Sequence, residues 1–314
     1  MSHSNQQFKR KTFDFSSWFF TVLTGAATYL IVSILAVILL NVLISGLPRF
    51  SWRFLTGGTE RDMFSVANAG VWPMIVGTSI RVFVMTLMVV PVGVITAIYL
   101  TEYASSISFL TRVIRGAVNN LAGVPSIVFG LFGLGFFISY VGKGLDHVFY
   151  AGGESHWGKP AVIWAALTLA VMTLPVVIVA TEESLRSIQP GLREASLALG
   201  ATKLQTIFKI VVPQAMPGIL TGAILAIGRA AGEVAPILFT GVAYYMADLP
   251  HSLNDLFMDL GFHTFILASQ SPNIEQTKPI LYSTVLTLLL LTFGLNFIAV
   301  LVRGRMRAAR RSVH

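Results

Sequence analysis

Charge is absent from five long stretches of this chain: Phe15 to Pro48, Val82 to Thr101, Gly116 to Gly142, Pro160 to Thr181 and Pro279 to Val302. Each holds the roughly 20 mostly apolar residues that one helix needs to cross a bilayer. A sixth stretch, from about Ile210 to Tyr245, is interrupted only by Arg229 and Glu233. Hydrocarbon offers no hydrogen-bond partner to a backbone amide, and these runs are too long and continuous for the alternating strands of a barrel. The pattern therefore predicts an all-α fold with six transmembrane helices. The first run follows Lys9, Arg10 and Lys11 as a secretion signal would. Signal cores span about 7–15 residues, and this run exceeds that before any small-residue cleavage site, so it reads as a retained helix.

Composition agrees with the pattern. Of 314 residues 54% are hydrophobic and 11% charged, too apolar for an ordinary soluble domain. The net charge of +8 first reports which loops stay in the cytoplasm. Lys9, Arg10 and Lys11, then Arg112 and Arg115, then Arg186, Arg193, Lys203 and Lys209, and finally the tail with Arg303, Arg305, Arg307, Arg310 and Arg311 fall on one side. The alternate loops hold only Arg49, Arg53, Arg61, Lys143, Lys159 and Lys278. Both termini are thus expected in the cytoplasm, and the Arg-rich tail reads as an anchor against anionic membrane lipid rather than a nucleic-acid arm. The chain has no cysteine, which excludes disulfides, thiolate metal sites and cysteine nucleophiles. His147, His156, His251 and His263 fall in predicted loops without metal-ligand spacing, so no metal site is expected.

Between the fourth and fifth helices the chain reads from Glu194 through Gly200 to Pro213, with small Ala195, Ser196 and Ala198 near bulky Leu192, Leu197, Leu199 and Leu204. Gly200 can supply the left-handed turn that ends a short helix, which predicts a two-helix elbow. Glu194 is expected at the start of its first helix, where the dipole favours a negative side chain. The pattern E-A-A-x-x-x-G, nine further residues, then I-x-L-P resembles the cytoplasmic coupling loop of bacterial ABC-importer permeases. Ser196 stands for the second Ala and Val212 for Leu. The resemblance implies a type I importer (MetI-like) architecture in which Glu194, Ala195, Gly200 and Pro213 belong to a loop seated in a groove of an ATPase subunit. No G-x-x-x-x-G-K-[ST] pattern occurs, so no cofactor is expected on this chain, and ATP and Mg are assigned to the partner ATPase. An amphipathic helix lying on lipid is the competing reading of the loop, but it would want a broader, more aromatic face.

Arg229 and Glu233 lie in the fifth apolar stretch, where a central charge costs roughly 2.5–3.5 kcal/mol on insertion scales. Four residues apart, they are expected on one helical face and within reach of each other. Mutual neutralisation in a packed interior is one reading. Gly228, Ala231 and Gly232 keep the surroundings small and leave room for either a close helix or a passing ligand, and a guanidinium matches an oxyanion by bidentate geometry. The segment R-A-A-G-E-x-A-P is similar to the fifth-helix signature of the phosphate-specific branch of these permeases, the A-type subunit that pairs with a C-type partner. Further resemblance comes from the run Pro91 to Ala104, with Glu102 and Tyr103, and from Gly123 to Gly133. Val234 departs from the family's usual Thr. The resemblance implies phosphate as the substrate. Arg229 is then expected to offset its charge, and Glu233 to orient the guanidinium and accept the hydrogen bond that protonated phosphate can donate and sulfate cannot.

These readings divide the chain into a cytoplasmic segment (1–17), a first transmembrane helix (18–47), a periplasmic loop (48–73), a permease core (74–302) with its coupling loop (183–213), and a basic cytoplasmic tail (303–314). The implied partners are a C-type phosphate permease subunit, an ATPase dimer, a periplasmic phosphate-binding protein, phosphate and lipid, with no nucleic acid and no catalysis by this chain. Permeases for molybdate or sulfate, an ion-gradient-driven transporter and a scaffold for phosphate signalling stay open as alternatives. Arg81 is expected near the outer end of the second span, able to snorkel to headgroups. Pro91, Pro125 and Pro175 are expected to kink spans. Leu253, Leu256, Phe257 and Leu260 predict a short amphipathic helix gating the outer opening, with Asp255 and Asp259 opposite.

Overall fold

The computed structural model describes residues 15–311, apart from 59–62, 65–68, 106, 151, 152, 154 and 247, and describes no side chain beyond 305. Lys9, Arg10, Lys11 and Arg61, with most of the segment 1–17, lie outside the described residues, as do the side chains of Arg307, Arg310 and Arg311. Besides the single turns Trp52–Thr56 and Ile237–Phe239, the helices are α1 (Phe15–Gly46), α2 (Trp72–Tyr103), α3 (Phe109–Ala122), α4 (Ser126–Phe149), α5 (Val162–Arg186), α6 (Pro190–Ala198), α7 (Lys203–Gly232), α8 (Leu260–Ser269) and α9 (Ile274–Arg311). Among the described residues six of them, α1, α2, α4, α5, α7 and α9, are long and apolar enough to cross a membrane.

The charge-free run from Gly116 to Gly142 is not one helix. It divides at Gly123, Val124 and Pro125, because a residue before proline is pushed out of the helical region. Pro125 precedes α4 with extended ψ, and so bounds the span instead of kinking it. Pro91 and Pro175 do lie inside α2 and α5. Wide turns of the π type occur at Tyr99–Tyr103, Gly133–Gly142 and Ile207–Val211. The last of these ends two residues before Pro213, which has no N–H to continue the ordinary ladder.

The core is built by α2, α5 and α7, whose buried Val82, Met85, Val89, Leu169, Met172, Val177, Ala226 and Ala230 form one cluster. Small residues permit this close approach. A Cβ on Gly93 would strike Val177, and one on Gly222 would strike Ala180. In lipid, where apolar helices gain nothing from leaving water, such close packing is a main source of association. The first helix, α1, stays largely exposed and packs on α9, where Ser283 donates to the Gly46 carbonyl at 2.7 Å.

Beyond α7 the chain does not form the helix expected across Leu253 to Leu260. The Asp255 carboxylate accepts the Ser252 and His251 amides at 2.8 and 2.9 Å. Those hydrogen bonds, the one from Ser252 foremost, hold its carboxyl below the usual range. The carbonyls of Leu253 and Asp255 accept from Ile163 and Val162, satisfying donors at the start of α5. A backbone committed to capping another helix cannot close its own turns. Phe257 is fully buried and pairs with Val242, and Asp259 caps α8 by accepting from Gly261 and Phe262. His147 sits in the last turn of α4, and His263 is buried in α8, so neither is a loop residue.

Candidate functional site

Helix α7 stops at Gly232, and Glu233 is already extended, with φ −79° and ψ 127°. The expected continuation of this span to Tyr245, with both charges on one helix face, is therefore replaced by an interrupted helix. Arg81 of α2 meets that broken end. Its Nη1 donates to the Ala230 carbonyl at 2.9 Å and its Nη2 to the Ala231 carbonyl at 3.4 Å. Arg81 lies about 14 Å from the start of α2 at roughly 1.5 Å per residue. Carbonyls freed inside a bilayer have no water unless they line a cavity. The Arg81 guanidinium supplies the donors, and its charge complements the negative end of the helix dipole.

Arg81 is thus no snorkelling side chain. It is fully buried, and its Nη2 lies 2.8 Å from Asp259 Oδ2, also fully buried. Thr78 donates to the same oxygen at 2.9 Å and accepts the Leu260 amide at 3.0 Å. Arg81 and Asp259 are 178 residues apart in sequence. The available signal was the cost of a lone arginine in an apolar run, and what it lacked was any local partner.

The pair expected from the sequence forms differently. Arg229 Nε lies 3.5 Å from Glu233 Oε1, longer than a charge-assisted hydrogen bond of about 2.7–2.9 Å. Their side chains remain 43% and 22% exposed. The two ion pairs differ in kind: Arg81 with Asp259 is sealed, and Arg229 with Glu233 stands open beside the helix break. Gly232 is exposed, and a Cβ there would meet nothing within 4 Å. Val234 lies against Gly261, where α8 begins.

At the opposite end of α7 the chain bends into an elbow. In α6 Glu194 and Ala195 are exposed. Glu194 is not at the helix start, because Pro190, whose missing N–H costs nothing there, opens the helix four residues earlier. Gly200 has φ +84°, the left-handed conformation that ends α6, with nothing within 4 Å of a would-be Cβ. Thr202 and Gln205 form a reciprocal capping box at the start of α7. Ser196 and Thr206 share a buried hydrogen bond of 2.8 Å that joins the two arms. Pro213 opens the regular part of α7. Leu199, Leu204 and Phe208 present exposed apolar surface.

Six spans, a helix that ends beside an accessible arginine, and an elbow at the other end of that helix point to a multi-pass membrane permease. Residues 89–308 match the family described as binding-protein-dependent transport system inner membrane component. The chain belongs to that family of ABC-transporter permeases, and is a multi-pass inner-membrane protein. It is 34% identical over 220 residues to the probable ABC transporter permease protein YqgI of Bacillus subtilis, covering 70% of this chain and 68% of that one. It is 33% identical over 255 residues to phosphate transport system permease protein PstA 1 of Mycobacterium tuberculosis, covering 80% and 75%. A probable phosphate transport system permease protein PstA of Methanocaldococcus jannaschii is 30% identical over 257 residues, covering 82% and 83%. Among solved structures, an alginate ABC transporter in complex with its pentasaccharide-bound periplasmic protein shares the fold at TM-score 0.64, 14% identity, covering 90% of this chain and 93% of that one. The inward-facing MetNI methionine transporter does so at TM-score 0.52, 20% identity, covering 76% and 94%.

Proposed function

We propose that this chain is the A-type half of a translocation path for inorganic phosphate, energised by a separate ATPase. The relatives named as phosphate permeases support the substrate. The observation that carries the proposal is the open Arg229–Glu233 pair beside the α7 break. The sealed Arg81–Asp259 pair already serves the packing role, which frees Arg229 to meet an anion. The guanidinium offers phosphate two parallel hydrogen bonds in a region of low dielectric. Glu233, 3.5 Å away, orients it and accepts a hydrogen bond from the protonated oxygen of phosphate. A C-type permease supplies the other half-site, and a periplasmic phosphate-binding protein delivers the anion.

The elbow is the contact with the ATPase dimer. Glu194, Ala195, Gly200 and Pro213 hold a short helix that passes a rigid-body displacement to α5 and α7. ATP and Mg stay on that dimer, and this chain contributes no catalysis and binds no cofactor. Both termini lie in the cytoplasm, on the side of the elbow. Phosphate uptake by vesicles carrying the complete complex tests the substrate assignment. Arg229→Gln is expected to lower it by tenfold or more, about what losing a hydrogen bond to a charged group implies, with unchanged membrane insertion. Wild-type uptake in that variant would overturn the role of Arg229. Competition by molybdate or sulfate as strong as by phosphate itself would overturn the substrate.

A further inference from the structure

The elbow is joined by the chain to α5 and α7 alone, yet side chains from both of its arms grip the end of α2. From α6, Arg193 donates through Nη2 and Nε to Glu102 Oε1 at 2.8 and 3.2 Å. The same guanidinium donates to the Leu185 and Ile188 carbonyls, both at 2.8 Å, where α5 ends. From the start of α7, Lys203 Nζ lies 4.8 Å from the centre of the Tyr103 ring. Arg115 of α3 donates to the Leu100 carbonyl at 3.1 Å. Glu102 and Tyr103 belong to the wide turn that ends α2, a feature often found at functional positions. The Glu102 carboxylate is only 9% exposed, so water screens this ion pair weakly.

From Glu102 to Arg81 along α2 is about 32 Å at roughly 1.5 Å per residue. One helix therefore carries a clasp to the elbow at one end and, at the other, the guanidinium that caps the broken end of α7. We infer that the Glu102–Arg193 clasp transmits displacement of the elbow to α2, and through Arg81 to the backbone that carries Arg229. Glu102 and Arg193 are positioning residues that touch neither anion nor nucleotide. The inference deepens the proposed function and rests on it. Without the clasp, α2 would follow the elbow only through its packing on α5 and α7, and the Arg81 cap would be held less firmly to the Ala230 carbonyl it must follow.

The test is the ratio of anion moved to ATP hydrolysed by the complete complex in proteoliposomes. Glu102→Gln keeps the side-chain volume and removes the charge. It is expected to leave assembly and basal ATP hydrolysis intact and to cut anion moved per ATP by roughly tenfold, within the usual range of coupling between distant sites. Arg193→Lys, which keeps the charge and loses the forked hydrogen bonds, should fall between wild type and Glu102→Gln. A mere staple would change the amount of complex recovered and not this ratio. An unchanged ratio in Glu102→Gln overturns the inference. If that variant does not assemble, an unchanged ratio in Arg193→Lys does the same. Phosphate uptake by the wild-type complex separates the two readings. If the wild type moves another anion instead, the phosphate assignment fails and the ratio, measured with that anion, still judges the clasp.

Discussion

A single arginine and what it is paired with decide how this site is read. Arg81 and Asp259 are completely buried and hydrogen-bonded to each other, to Thr78 and to the end of α7. Breaking a buried pair by removing one partner strands the other charge and typically costs about 3–5 kcal/mol. Arg81→Ala is expected to lose about that much stability, read from thermal or denaturant unfolding of the purified complex in detergent. A loss under about 1 kcal/mol would mean that the carbonyls and Asp259 find other partners. The pair escaped sequence reading because nothing local links position 81 to position 259. Arg229 and Glu233 were visible in the sequence, being four residues apart in an apolar run. Their accessibility was not, since it follows from where α7 ends.

The elements show which signals are local. Five runs without charge and a sixth interrupted by Arg229 and Glu233 located the six spans, because one long apolar helix needs nothing from its neighbours to satisfy its backbone. Breaks were harder to see. The division at Pro125 has a local cause, and so does the end of α7 at Gly232, with Pro236 four residues on, but the guanidinium from α2 that satisfies its last carbonyls is not local. Likewise the periodic apolar positions between Leu253 and Leu260 mimic a helix, and the structure spends those carbonyls on α5. The elbow was legible in Gly200, whose positive φ is the kind of turn glycine adopts without cost. Space around Gly200 is open, so only backbone conformation opposes a larger residue. Gly200→Asn, which tolerates the left-handed region, is expected to keep most transport. Gly200→Val should lose it, since a side chain there costs roughly 1–2 kcal/mol and β-branching adds to it. Equal uptake by the two variants would detach Gly200 from coupling.

At the scale of the whole molecule, α2, α5 and α7 form one packed unit with an elbow at one end and a broken helix at the other. Irregular backbone at membrane depth persists where protein or a water-filled cavity receives its polar groups, and the segment after Gly232 meets both conditions if an anion path runs beside it. The absence of cysteine from the chain makes that proposition directly measurable. Gly232→Cys places a thiol beside Arg229 without displacing anything, because no atom lies within 4 Å of the added Cβ. In the assembled complex, a membrane-impermeant thiol reagent should label this variant, and phosphate supplied with its binding protein should slow the labelling. A thiol that never reacts, or that reacts at the same rate with and without phosphate, would contradict an anion path past Arg229.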